Sequence, residues 1–239
     1  MPHADLRNYY SESDSFLIRS IEQGGSVVFD RSVLPPPPAL LSTPDIHISR
    51  ASHIYEDYYR VDSLWVQCQQ EVYRSLGLLI LSSILNPTPE GTALVLHHRH
   101  TDFTRLVIRQ YRSRTVPNGY LERGVTFEYA RTEIERYPWV NLHTRINPDD
   151  LPCFFLPVEL QQEGSATLPQ RYGTIHGFGS DRGAILLAQL LLDIGLSEAD
   201  DSIYDLEGEA GNRGCGPLSA EARFILPGSP AWDESLWES

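Results

Sequence analysis

Hydrophobic positions change period several times along this chain, and each change predicts an element. From Asp62 to Leu85, the residues Trp65, Cys68, Val72, Leu76 and Leu79 recur at three- and four-residue spacing. That makes one apolar stripe and predicts a long helix over 62–85, capped by Asp62 or Ser63. Beyond Leu76 apolar residues surround the axis, so the second half is expected to be buried. Asn86-Pro87-Thr88-Pro89 stops it. Gly77, in mid-helix, costs about 1 kcal/mol relative to alanine and would permit close packing of another element. A second helix is predicted over 181–194, with Ala184, Leu187, Ala188, Leu191 and Ile194 as its buried stripe. Gly195 stands where a left-handed C-cap belongs.

Strand signals fill most of the remainder. SFLIRSI and GSVVFDRSV, either side of Gly24-Gly25, read as a hairpin. Pro35 to Pro38 reads as a stiff connector rather than a ligand for a proline-binding module. TALVLHH and DFTRLVIRQY, joined by Arg99 to Asp102, read as a second hairpin. Gly124 to Arg131 follows as a strand with Val125, Phe127 and Tyr129 alternating. Cys153 to Leu160 is a strand that Pro157 assigns to a sheet edge. Arg171 to Gly179 is a strand entering a glycine turn, which Ser180 caps into the second helix. SIYDLEGE and SAEARFILPG close the chain as strands around the loop Gly211 to Gly216. The expectation is an α+β fold, with two principal helices packed on a mostly antiparallel sheet. The length of 239 residues suits a single domain over 1–239, with a sub-boundary near 163–168. No internal repeat stands out.

Composition narrows the chemistry. The chain has nineteen arginines and no lysine. That removes a P-loop lysine, a Schiff-base lysine and a pyridoxal-phosphate anchor. Codon bias towards arginine and avoidance of lysine-directed tagging both account for the absence. The beginning MPHADLRNYY lacks the basic and apolar regions of a secretory signal. The longest apolar run, Leu76 to Leu85, is too short to span a bilayer. Cys68, Cys153 and Cys215 form no CxxC pair, so a reducing cytoplasm is the expected location.

Net charge is −13 and unevenly placed. Nine arginines against five acids give +4 over 99–145, whereas eleven acids against two arginines give −9 over 183–239. The acidic C-terminal quarter argues against nucleic acid as a partner. It is compatible with docking of a basic protein, and a plain solvated surface is the expected reading.

Four groups carry candidate chemistry. His97, His98 and His100 with Asp102 could serve acid–base or metal chemistry with His143 or His176, but the spacing requires no metal, and histidines bordering the core are the expected reading. Gly177 to Gly183 lies between strand and helix, where glycine turns present N–H groups to phosphate. However, Arg182 breaks the dinucleotide pattern and Asp181 repels phosphate, which leaves a structural turn. Arg105, Arg109, Arg112 and Arg114 beside Phe103 and Tyr111 resemble a nucleic-acid grip, but pairing with the chain's own acids is the expected use. Glu198, Asp200, Asp201, Asp205, Glu207 and Glu209 lack calcium-loop spacing. Of these, Asp200, Asp201, Asp205, Glu207 and Glu209 are the candidate partner-binding residues. No cofactor is implied.

The C-terminal stretch GTIHGFGSDRGAILLAQLLLDIG followed by SIYDLEGEAGNRGCGPLSAEARFIL resembles small bacterial immunity proteins of polymorphic-toxin systems. In such families a strand ends in glycine, a helix of the type G-x-x-x-L-A-x-x-L-L follows, and two strands close the unit. Gly183, Leu187, Ala188, Leu190 and Leu191 match the helix, and Ser219 to Leu226 resembles the closing strand. The match covers about a quarter of the chain, and its motifs are structural. The resemblance implies a cytoplasmic, non-enzymatic protein that binds and occludes a cognate toxin domain, a basic one on charge grounds. Two other classes stay open. One is a hydrolase or transferase with a histidine-based site; the other is a lysine-free adaptor near a ubiquitin-like tagging system.

Overall fold

The computed structural model of the chain describes residues 4–24, 26–55, 59–87, 91–111, 125–128, 153–155, 172–197, 203–206 and 221–238. The fold is α+β. Its first elements are β1 (Ala4–Asp5), α1 (Leu6–Gly24), β2 (Ser26–Phe29), β3 (Leu40–Thr43), β4 (Ile46–Tyr55), β5 (Tyr59–Cys68) and α2 (Gln70–Leu85). β6 (Thr92–Leu96), β7 (Phe103–Tyr111), β8 (Val125–Glu128), β9 (Cys153–Phe155) and β10 (Tyr172–Ser180) follow. The chain continues with α3 (Asp181–Leu196), β11 (Ile203–Leu206), β12 (Glu221–Ile225) and a 3-10 turn at Glu234–Leu236.

The strands form a six-stranded sheet in the order β1-β3-β6-β7-β10-β9, a four-stranded sheet β11-β12-β5-β4, and a ribbon β2-β8. Four of the nine described pairings are parallel, so the sheets are mixed and the mostly antiparallel expectation is corrected. Parallel pairs join strands distant in sequence, which no local hairpin signal announces. The β6–β7 hairpin is antiparallel as expected, and β9 is the last strand of its sheet among the described residues.

Three corrections concern the helices. The segment 15–24 belongs to α1, not to a hairpin. Leu6, Tyr10, Ser13 and Leu17 make its buried stripe, and the Asp5 carboxylate caps it by accepting from the amides of Arg7 and Asn8 at 3.0 and 3.4 Å. The helix predicted over 62–85 begins at Gln70. Residues 59–68 are instead β5, with Leu64, Val66 and Cys68 buried towards α2. Asp62 and Ser63 therefore cap nothing; the N-cap is Gln69, which makes no side-chain capping bond. Gly177 to Ser180 completes β10, and α3 begins at once, so the expected glycine turn is absent. The possible boundary at 163–168 lies outside the described residues.

α2 is buried along nearly its whole length and packs on α1, α3 and the inner face of the four-stranded sheet. Gly77 does permit close packing: a Cβ there would sit 2.9 Å from Leu192 Cγ and 3.0 Å from the Ala188 oxygen. Gly195 plays the reciprocal part. A Cβ on it would sit 2.4 Å from Arg74 Cγ and 2.7 Å from the Gln70 oxygen. It is not a left-handed cap, since α3 runs on through Leu196 and the positive-φ glycines among the described residues are Gly91 and Gly228. Arg74 binds the three helices together. It holds Asp14 through Nε and Nη2 at 2.7 and 3.0 Å and donates from Nη1 to the Gly195 oxygen at 2.7 Å. The proline run is a packed connector: Ser82 Oγ donates to the Pro35 oxygen, Tyr9 donates to the Pro36 oxygen, and Pro37 is buried.

Candidate functional site

Two places gather the chemistry that the sequence singles out. The first is β11, the terminal strand of the four-stranded sheet among the described residues. It pairs antiparallel with β12, and Asp205 stands opposite Arg223. Register carries that row on to Trp65 of β5 and Ser49 of β4. Arg223 and Trp65 share a face, and the Arg223 guanidinium lies 5.2 Å from the Trp65 ring centroid. Asp205 is the one proposed partner-binding residue within the described residues. Asp200, Asp201, Glu207 and Glu209 fall outside them, as does Glu198, within a few residues of β11 on either side.

The second place is the connection from β6 to β7. β6 ends at Leu96, so His97, His98 and His100 lie in a loop and not on an extended strand. The loop is pinned to β4. Thr101 Oγ1 donates to the Ile48 oxygen at 2.9 Å and accepts from the Ile48 amide at 3.1 Å, while Asp102 accepts from the Arg50 amide at 2.9 Å. Asp102 is therefore an anchor for β4. This pinning turns His98 inward, to 8% exposure, and leaves His97 and His100 exposed.

The inward ring meets a partner that sequence reasoning missed. His47, on β4, is 4% exposed, and its ring centroid lies 5.4 Å from that of His98. The His100 ring lies 5.9 Å from His98 on another side. Burial, reinforced by the neighbouring imidazoles, holds the His47 pKa down to about 4. Its Nδ1 has no hydrogen-bond partner among the described residues. The alternation Ile46-His47-Ile48 carries the only signal that could have flagged it, a polar position in a strand buried on both faces.

The C-terminal segment roofs this cluster. After β12, Gly228 adopts a φ of 87°, which glycine tolerates without strain, and the chain folds back across the outer face of the four-stranded sheet. The Asp233 amide donates to Gln67 Oε1 at 3.1 Å, and Trp237 lies 4.6 Å from His98 while stacking on Trp232 at 5.2 Å. Gln67 and Ile225, outward-facing by strand alternation, are both buried, Gln67 beneath the Asp233 amide.

No group of three His, Cys, Asp or Glu side chains with metal-binding geometry occurs among the described residues. His176 lies on β10, paired with Val107 and Phe155, in the six-stranded sheet; His143 falls outside the described residues. Of the arginine group, Phe103 is fully buried and Arg105 exposed, while Arg112 and Arg114 lie outside the described residues. Cys68 is buried, and desolvation pushes its thiol pKa well up, which makes it inert. No helix among the described residues is long and apolar enough to cross a membrane. Compared with known proteins, the chain matches no family model, no curated protein and no solved structure.

Proposed function

We propose that the chain is a non-enzymatic cytoplasmic binding protein, an immunity protein that docks a basic toxin domain and occludes its active site. The observation that carries the reading is the position of β11. Among the described residues Asp205 lies on the terminal strand of a sheet, and Asp200, Asp201, Glu207 and Glu209 lie within five residues of it in sequence. A terminal strand offers unpaired N–H and C=O groups, and its carboxylates would steer a cationic partner towards them. The enzyme reading has less support, because His98 lies beneath Trp237 and Asp102 is engaged with the Arg50 amide.

The test is affinity capture of the full chain from lysate of its native host, with mass spectrometry and metal analysis of the eluate. A fourfold variant, Asp200→Arg, Asp201→Arg, Asp205→Arg and Glu207→Arg, is captured in parallel. The expected result is a stoichiometric basic protein on the parent chain and its loss from a variant with unchanged circular dichroism. Equal capture by both would move the interface elsewhere. Zinc or iron in the eluate without a protein partner would overturn the reading in favour of a histidine-based enzyme.

A further inference from the structure

We infer that the C-terminal strap, Ser229 to Trp237, is a latch that mild acid releases by protonating the buried histidine beneath it. The strap closes over a row made by Gln67 and His47, which stand in register on β5 and β4. Among the described residues, its far end is held by the Asp233 amide on Gln67 and the Trp237 ring on His98. Neither is strong. The first is a single hydrogen bond to a neutral group, and Trp237 Nε1 and His47 Nδ1 are both buried without partners among the described residues.

Protonation makes both ring nitrogens of His47 donors, and among the described residues Nδ1 has no acceptor. The titratable groups bearing on the ring are His98 and His100 from the β6–β7 loop and Asp233 from the strap; β5 presents the neutral Gln67. The imidazoles and the burial oppose the charge, and Asp233 favours it more weakly. Lifting the strap admits water to His47 and removes the penalty. Proton uptake and opening are therefore linked: the open form binds the proton better, so acid shifts the population towards it.

The size of the effect follows from the linkage. With the ring at about 4 when closed and near its ordinary 6.5 when open, the opening constant rises about twentyfold between pH 7 and pH 5. Hydrogen exchange of the full chain reads this directly, after correction for the intrinsic pH dependence of exchange. Protection of the 229–238 peptide is expected to fall about twentyfold from pH 7 to pH 5, while α2 peptides keep theirs. In His47→Leu the strap peptide is expected to hold the same protection at both values. Should that variant fail to fold, His47→Gln carries the same comparison. Three results would each overturn the inference: a change below threefold in the parent, an equal fall in the variant, or loss of α2 protection together with the strap.

Discussion

Tyr73 is the place where one atom does measurable structural work, and Tyr73→Phe isolates it. The side chain is fully buried on α2, under the parallel pair β5–β12. Its hydroxyl accepts from the Ile225 amide at 3.0 Å and lies 2.8 Å from the Val66 oxygen and 2.9 Å from the Ile225 oxygen. A hydroxyl has one proton, so it donates to one carbonyl at a time. Removing the oxygen keeps the ring contact with Phe224 and opens almost no cavity, so the packing contribution is small. What remains is a buried N–H left without its acceptor and a carbonyl without its donor, each costing about 1–3 kcal/mol. We expect a loss of about 2–3 kcal/mol once partial relaxation is allowed for. Urea denaturation at pH 7, followed by far-UV circular dichroism and tryptophan fluorescence, measures it. With a slope of about 3 kcal/mol/M, the midpoint should fall by about 0.8 M at unchanged slope. A shift under about 0.2 M would mean that the Ile225 amide finds another partner, and would refute the claim that this hydroxyl ties the helix to the sheet.

Three further outcomes follow from the helix packing. Gly195→Ala should destabilise by about 2–3 kcal/mol and Gly77→Ala by about 1–2, in that order, although helix propensity alone predicts a gain of about 1 for each; thermal denaturation of both variants decides between packing and propensity. Arg74→Met should cost about 2–3 kcal/mol, and a double-mutant cycle with Asp14→Asn should return a coupling of about 1–2, whereas additive losses would show that the pair does not interact. Burial raises the Asp193 carboxyl to about 7, so the native state binds more protons than the unfolded state between pH 4 and 7 and stability falls as pH rises through that window. Asp193→Asn should therefore exceed the parent by about 2–3 kcal/mol at pH 8 and match it near pH 4, and equal denaturation curves at pH 8 would contradict the assignment.

Which elements were legible follows from how each one is stabilised. α3 and the second half of α2 are read from one stripe each, because their burial is set by residues three and four apart. The strand before α2 was absorbed into the helix because Trp65, Cys68 and Val72 happen to fit helical spacing. Its period-two signal, Leu64, Val66 and Cys68 against Ser63, Trp65 and Gln67, is broken by one apolar group on the outer face, Trp65. Only the fold shows that on this face Gln67 and Ile225 are as buried as their inward neighbours, Gln67 beneath the strap. α1 is hidden in the sequence because Ser13 occupies a stripe position and bonds the Val33 oxygen there. At Gly195 the residue was singled out for the wrong property, backbone freedom, when the structure uses its missing side chain.

The same division applies to the candidate sites. Charge is a local property, so the acidic stretch around Asp205 was visible in the sequence. That it borders the last strand of a sheet depends on β12 pairing in parallel with β5, across more than 150 residues of chain. The histidine pair is more remote still. Nothing near His98 points to His47, because the two meet only when Thr101 and Asp102 fasten the β6–β7 loop to the backbone of β4. Loop and strand are thus joined by two side chains bonded to the β4 backbone and by the Asp102 amide donating to the Ile48 oxygen at 2.9 Å, and the imidazoles are brought together as a consequence. A cluster assembled in this way has its positions set by the scaffold, while among the described residues the strap above it is held by one neutral hydrogen bond and ring packing. That asymmetry, a fixed floor beneath a weakly held roof, makes the roof the part that a proton on His47 can move.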